Sequence, residues 1–238
     1  LLGVIRTQEL IEARKIDGGE QLFSRANDFG FSKNPGETLE IWEKEKVLSD
    51  VVWAIRKFQP DVIINRFDHR SAGTTHGHHT ASAMLSVESF NLTNNPTIFP
   101  EQLNLVQPWQ AKRQFFNTSW WLYGSQEKFN KADKTNLMAI QTGVYFPSIG
   151  KSNQEIAALS RSRHQSQGFG STGSRGEEIE YLEFINGEPV QDKSSLFEGI
   201  DTSWNRVKGG KPVGELLTKI ASQFDFNNPS ASIPTLAK

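Results

Sequence analysis

Leu48, Val51, Val52 and Ile55 recur at i, i+3, i+4 and i+7, the spacing of one buried helical face. The pattern predicts a long helix from Glu37 to about Phe58, stopped by Pro60. Val62-Ile63-Ile64 follows, a short apolar run rich in β-branched residues, as in a parallel strand covered on both faces. Helix, proline and apolar strand in that order are the rhythm of a β-α-β unit. Upstream, residues 4–17 read as an amphipathic helix ending at Gly18-Gly19, a C-terminal stop signal. Downstream, a polar loop over residues 68–75 leads to His76-Gly77-His78-His79. A helix expected from about Thr80 turns Ala81, Met84, Leu85 and Val87 inward.

The second half is less regular. Residues 96–123 are rich in Pro and Trp, and Trp109, Trp120 and Trp121 are expected to pack a second layer. Ser152-x-x-Glu155 is a capping box that opens a short helix through Ile156, Ala157 and Leu159. Residues 180–184 alternate loosely and read as an edge strand. No internal repeat is visible. The expected class is α/β in a single domain over residues 1–238, with residues 100–238 an elaborated, more divergent part of it.

Composition narrows the chemistry. The net charge is −1, so the whole chain carries no electrostatic footprint for nucleic acid or an anionic membrane. No apolar run approaches the roughly 18 residues that a spanning helix needs. There are 0 cysteines, which removes disulfides and thiolate metal sites and leaves the compartment open. Any metal must be held by His, Asp or Glu. Leu1 opens without Met in a stretch of helical spacing, and residues 230–238 trail off; both ends read as cut.

Of the 5 histidines, His69, His76, His78 and His79 fall within one short stretch. His76-x-x-His79 sits just past an apolar strand, where open α/β sheets place their ligands. Neutral imidazole is a good zinc ligand. A solvated His-rich loop gives the same pattern, so the cluster alone leaves both readings open. His69, between Asp68 and Arg70, reads as a hydrogen-bonded loop residue, and His78 as a support for its neighbours.

Arg6-x-x-Glu9, Asp28 in a loop, Ile55-Arg56 closing a helix, Pro60-Asp61-Val62-Ile63, then His76-x-x-His79 with Ala81 form an ordered series. This order resembles the LmbE/PIG-L de-N-acetylases over about residues 1–95. It continues more loosely through residues 160–170.

The resemblance implies a Rossmann-like, mostly parallel sheet flanked by helices, with its first strand missing here. It implies one zinc, or another divalent ion, used to hydrolyse an N-acetyl group from a glucosamine-type sugar or glycoconjugate. His79 falls on a zinc ligand. His76 falls on the residue that stabilises the oxyanion and protonates the amine. Arg6 and Asp28 fall on contacts to sugar hydroxyls. Plain helix pairing with Glu9 and ordinary turn chemistry would account for Arg6 and Asp28 equally.

Two departures stand out. The family's His-Pro-Asp-Asp-Glu motif, which supplies two ligands and the general base, is absent, and truncation is the expected reason. The chain as it stands is therefore expected to be inactive. His78 and Gly77 stand where the family often has Asp and Pro, which bears on the acid role of His76.

His164, in Ser160-Arg161-Ser162-Arg163-His164-Gln165-Ser166, is a further candidate for substrate binding. Its segment suits sugar hydroxyls or a phosphate, and also a basic helix end followed by a solvated loop. The other function class in play is a non-catalytic carbohydrate-binding module on the same fold, served by 6 Trp. A nucleotide-binding Rossmann domain is disfavoured, because no G-x-G-x-x-G follows a strand.

Overall fold

The computed structural model describes residues 1–237. The chain divides into two compact units, Leu1–Ser194 and Ser195–Lys238. In the first unit, α1 (Leu2–Asp17) ends where Gly18 takes a left-handed conformation, φ 74°, and returns its N–H to the Arg14 carbonyl. The expected long helix over 37–58 is two helices. In α2 (Pro35–Ile41), Asn34 caps the N–H groups of Gly36 and Glu37. Then Glu43 turns left-handed at φ 56°, and α3 (Lys44–Phe58) begins. Periodicity runs through the break because both helices turn apolar residues to one core, where Leu39 and Trp42 pack against Val47, Leu48, Val52 and Leu85.

After α3, Gln59 and Pro60 lead into β1 (Val62–Asn65). The next helix, α4 (Gly77–Phe90), starts three residues earlier than the apolar pattern predicts and buries Ala81 and Leu85. The rest of the unit contains β2 (Arg113–Thr118), α5 (Gln126–Lys131), β3 (Leu137–Gln141), β4 (Tyr145–Phe146), β5 (Lys151–Ser152), α6 (Asn153–Arg161) and β6 (Ile179–Gly187). Ser152 and Glu155 make the expected capping box at α6.

The main sheet runs β1-β2-β6-β3. It is mixed α/β rather than mostly parallel: β1 and β2 pair parallel, whereas β6 pairs antiparallel with both β2 and β3. The helix-proline-strand rhythm occurs once, ahead of β1, and the later strands do not repeat it. The expected edge strand over 180–184 is interior. Its polar residues misled the pattern, since Asn186 bonds Gln114 at 2.8 Å and Glu180 accepts from Asn117 at 2.8 Å inside the sheet. Of the Trp layer, only Trp109 is tied in, donating to the Pro60 carbonyl at 2.7 Å. Trp120 and Trp121 are 50% and 37% exposed.

Two polar networks fix α4 and the segment after it. Ser86 donates to Asn65 at 2.6 Å and accepts from Gln114 at 3.0 Å, joining α4 to β1 and β2. Arg56, 1% exposed, gives five hydrogen bonds to Gln102 and to the carbonyls of Thr93, Asn95, Ile98 and Phe99. Those bonds satisfy the turns after α4, where no regular element would.

β1 has a partner on one side only, and Ile64 is 50% exposed. Beside it lies a groove of about 690 Å³ lined by Leu22, Phe23, Ala54, Ile55, Val62 and Ile63. Arg25, bonded to Asp50 at 2.7 Å, holds the extended segment 20–26 against α3 at this groove.

The second unit is built from a short turn at Trp204–Arg206, α7 (Lys211–Gln223) and α8 (Ile233–Leu236). Gly214 lets α7 close on Trp204, since a Cβ there would meet Trp204 Cβ at 3.0 Å. Among the described residues no helix is long and apolar enough to cross a membrane.

Candidate functional site

The four-residue strand β1 delivers the chain to residues 66–76 at the carboxyl end of the sheet's one parallel pair. This loop is pinned. Arg70 forks onto Glu183 at 2.9 and 2.7 Å and reaches Asp68 at 2.8 Å. Those bonds hold its guanidinium pKa above the ordinary value, with the Glu183 bonds the largest cause. Thr75 bonds Thr80 at 3.0 Å, and the Ser71 hydroxyl returns to the Asp68 carbonyl at 2.9 Å. His69 lies 3.5 Å from Asp68, the loop role its neighbours predict.

His76 is the N-cap residue of α4, so His78 and His79 fall in the first helical turn. The rings of His76 and His79 stack with centroids 5.0 Å apart and planes at 23°. His79 is half-buried and lies flat on Phe67, 3.8 Å away. Burial is the largest cause of its lowered pKa, with the nearby His76 and His78 adding to it. The lowered pKa favours the neutral imidazole over the charged one. His76 is exposed, and Phe31 meets its ring edge-on at 5.0 Å.

His78 turns the other way. It stacks on Phe29 at 4.4 Å and meets the edge of Trp42 at 5.6 Å. Its Nε2 is buried without a hydrogen-bond partner, and Asp28 stands 4.0 Å from it. Asp28 itself accepts the Gly30 N–H at 3.1 Å in a turn of its own making, and its side chain is 77% exposed.

Gly77 makes this arrangement possible. A Cβ there would lie 2.6 Å from the Asn34 carbonyl oxygen and 2.7 Å from Thr38 Oγ1, while its N–H donates to the Ser32 carbonyl at 2.7 Å. The start of α4 therefore sits directly against the cap of α2.

Elsewhere in the unit, Arg6 and His164 both act on Glu9. Both Glu9 oxygens are taken by Ser166, from its N–H at 2.6 Å and its hydroxyl at 2.7 Å. These bonds lower the Glu9 pKa, with smaller electrostatic contributions from His164 and Arg6. Arg6 Nε and His164 Nδ1 are both buried without a hydrogen-bond partner. His164 and Arg66 line one cavity, and Phe67, next in the chain after Arg66, carries His79.

The structure thus brings His76 to His79 and Asp28 to His78, and sets Arg6 and His164 within electrostatic reach of one carboxylate, Glu9. Phe67, Phe29, Phe31 and Arg66 are the neighbours that sequence reasoning passed over. For Phe67 and Arg66 a signal existed: they directly follow the strand whose carboxyl end was the expected site. Among the described residues no three of His, Asp and Glu are grouped to hold a metal ion. His79 fits a single ligand position; the set as a whole is incomplete. Compared with models of known protein families and with curated proteins, the chain matches none of them.

Proposed function

We propose that this chain belongs to a metal-dependent amidohydrolase that removes an N-acetyl group from a glucosamine-type sugar or glycoconjugate. The observation that carries the reading is the stacked His76–His79 pair just beyond β1. On this reading the fold is a Rossmann-like variant. The one-sided pairing of β1, an apolar parallel strand beside an apolar groove, supports a further strand in that place.

His79 would hold zinc, or another divalent ion, through a ring nitrogen, with the other ligands and the general base coming from outside the described residues. Such an ion, when bound, lowers the pKa of its water to roughly 7 and polarises the acetyl carbonyl. Phe67 keeps the His79 ring in one plane and excludes water from its face. His76, exposed beside it, would donate to the developing oxyanion and then protonate the leaving amine. Arg6, Asp28 and His164 are the candidate contacts to the sugar.

The test is metal content and turnover in the full-length protein. His79→Ala is expected to lose zinc, and His76→Ala to keep zinc while losing turnover by about 10²–10⁴-fold. Zinc retained in the His79 variant removes the ligand assignment.

A further inference from the structure

We propose that the cavity between α1 and α6 binds an anionic group, phosphate or carboxylate, carried on a sugar. The proposal rests on the deacetylase reading for the sugar but not for the charge. The cavity measures about 1180 Å³, at the upper end of ligand pockets. Arg14, Lys15, Arg66 and Arg161 line it, against one carboxylate, Asp17.

Asp17 is already engaged. It pairs with Arg14 and accepts from the Ser160 hydroxyl at 2.8 Å and the Gly19 N–H at 3.0 Å. Burial raises its pKa, but these donors outweigh burial and leave it lowered, so it stays charged and satisfied. Lys15 pairs with Glu12 at 2.5 Å. Arg66 and Arg161 have no such partner. Arg66 reaches only the neutral side-chain oxygen and carbonyl of Asn117, at 2.9 and 3.5 Å. Arg161 lies over the ring of Phe169 at 4.7 Å, which orients its guanidinium without neutralising it. His164, also in the lining, has a buried ring nitrogen with nothing to bond.

Two uncompensated guanidinium forks facing one cavity are suited to a phosphate or carboxylate, which they bind through paired N–H groups. The remaining wall is apolar, formed by Phe146, Ile149 and Ile156, and presents a surface on which a pyranose face packs.

The test is calorimetric titration of the 238-residue chain with three probes: the phosphate monoester of N-acetylglucosamine, glucuronic acid, and neutral N-acetylglucosamine. The anionic sugars are expected to bind about tenfold more tightly than the neutral one, with an advantage that shrinks as salt rises. Arg66→Ala and Arg161→Ala are both at exposed positions, and each is expected to weaken the anionic probes by roughly tenfold and spare the neutral one. Preference for phosphate over uronate, or the reverse, identifies which anion the site takes. Equal affinity for charged and neutral sugars overturns the proposal, as does full anion affinity in the double variant or no anion binding at all. Failure of the deacetylase reading looks different: anionic sugars still bind, but the full-length protein turns none of them over.

Discussion

The imidazole of His79 lies on the ring of Phe67 with centroids 3.8 Å apart and planes within 7° of parallel. Face-on stacking covers one side of the imidazole and leaves the ring edge, where both nitrogens sit, free to bond. It also removes water from the ring, and burial is the main reason its pKa falls below the ordinary 6.5. Phe67→Ala should therefore raise the His79 pKa back toward 6.5, read from the pH dependence of its ring proton shifts by NMR. Loss of the aromatic pair is expected to cost about 0.5–1.5 kcal/mol beyond the area exposed. An unchanged titration would mean that Phe67 does not set the environment of His79.

Gly77→Ala tests how α4 is seated. The new methyl would press on the Asn34 carbonyl, which belongs to backbone and cannot swing aside. Overpacking of this kind costs about 1–3 kcal/mol. The chemical denaturation midpoint should fall, and the ring contacts of His76 with Phe31 and His79 should loosen together. Gly77→Pro should be worse, since it also deletes the N–H that donates to Ser32.

Arg56→Met should destabilise the first unit by roughly 3–5 kcal/mol, because carbonyls now bonded by a buried charge are left without donors. Arg56→Lys should recover little of this. An ammonium offers three donors from one point, whereas the five bonds fan out from a planar fork. Full stability in the Lys variant, by urea denaturation, would sink the argument from geometry.

The packing of α1 on α6 and on the segment that follows it should be sensitive to acid. Glu9 has a folded pKa below its ordinary 4.5, and Asp17 one below 3.8. A carboxylate whose pKa is lowered by folding contributes stability that is present above the ordinary value. That stability is lost as pH falls through the folded one. Thermal unfolding of Glu9→Gln should therefore lie below that of the native chain at neutral pH. The gap should close as pH drops past 4.5 and Glu9 itself takes up a proton. A gap that is constant with pH would assign the effect to shape instead of charge.

Local signals in the chain determined the elements that depend on neighbours in sequence. Gly18 ends α1, Ser152 and Glu155 cap α6, and Pro60 with Val62–Asn65 marks a helix giving way to a strand. The position of His76 and His79 after that strand was legible for the same reason. The split of the long helix at Glu43 was not, because one apolar face serves both pieces and the left-handed residue is not a glycine.

Sheet order and the partners of the site were decided by tertiary structure. Nothing local tells β6 to insert between β2 and β3, or tells Asn117 that it will meet Glu180, and Asn186 that it will meet Gln114, inside the sheet. The bonds from Ser166 to Glu9 join residues more than half the chain apart. Residue type and spacing fix the backbone's local choices; which side chains meet depends on how the covered faces pack, and that is a property of the whole unit.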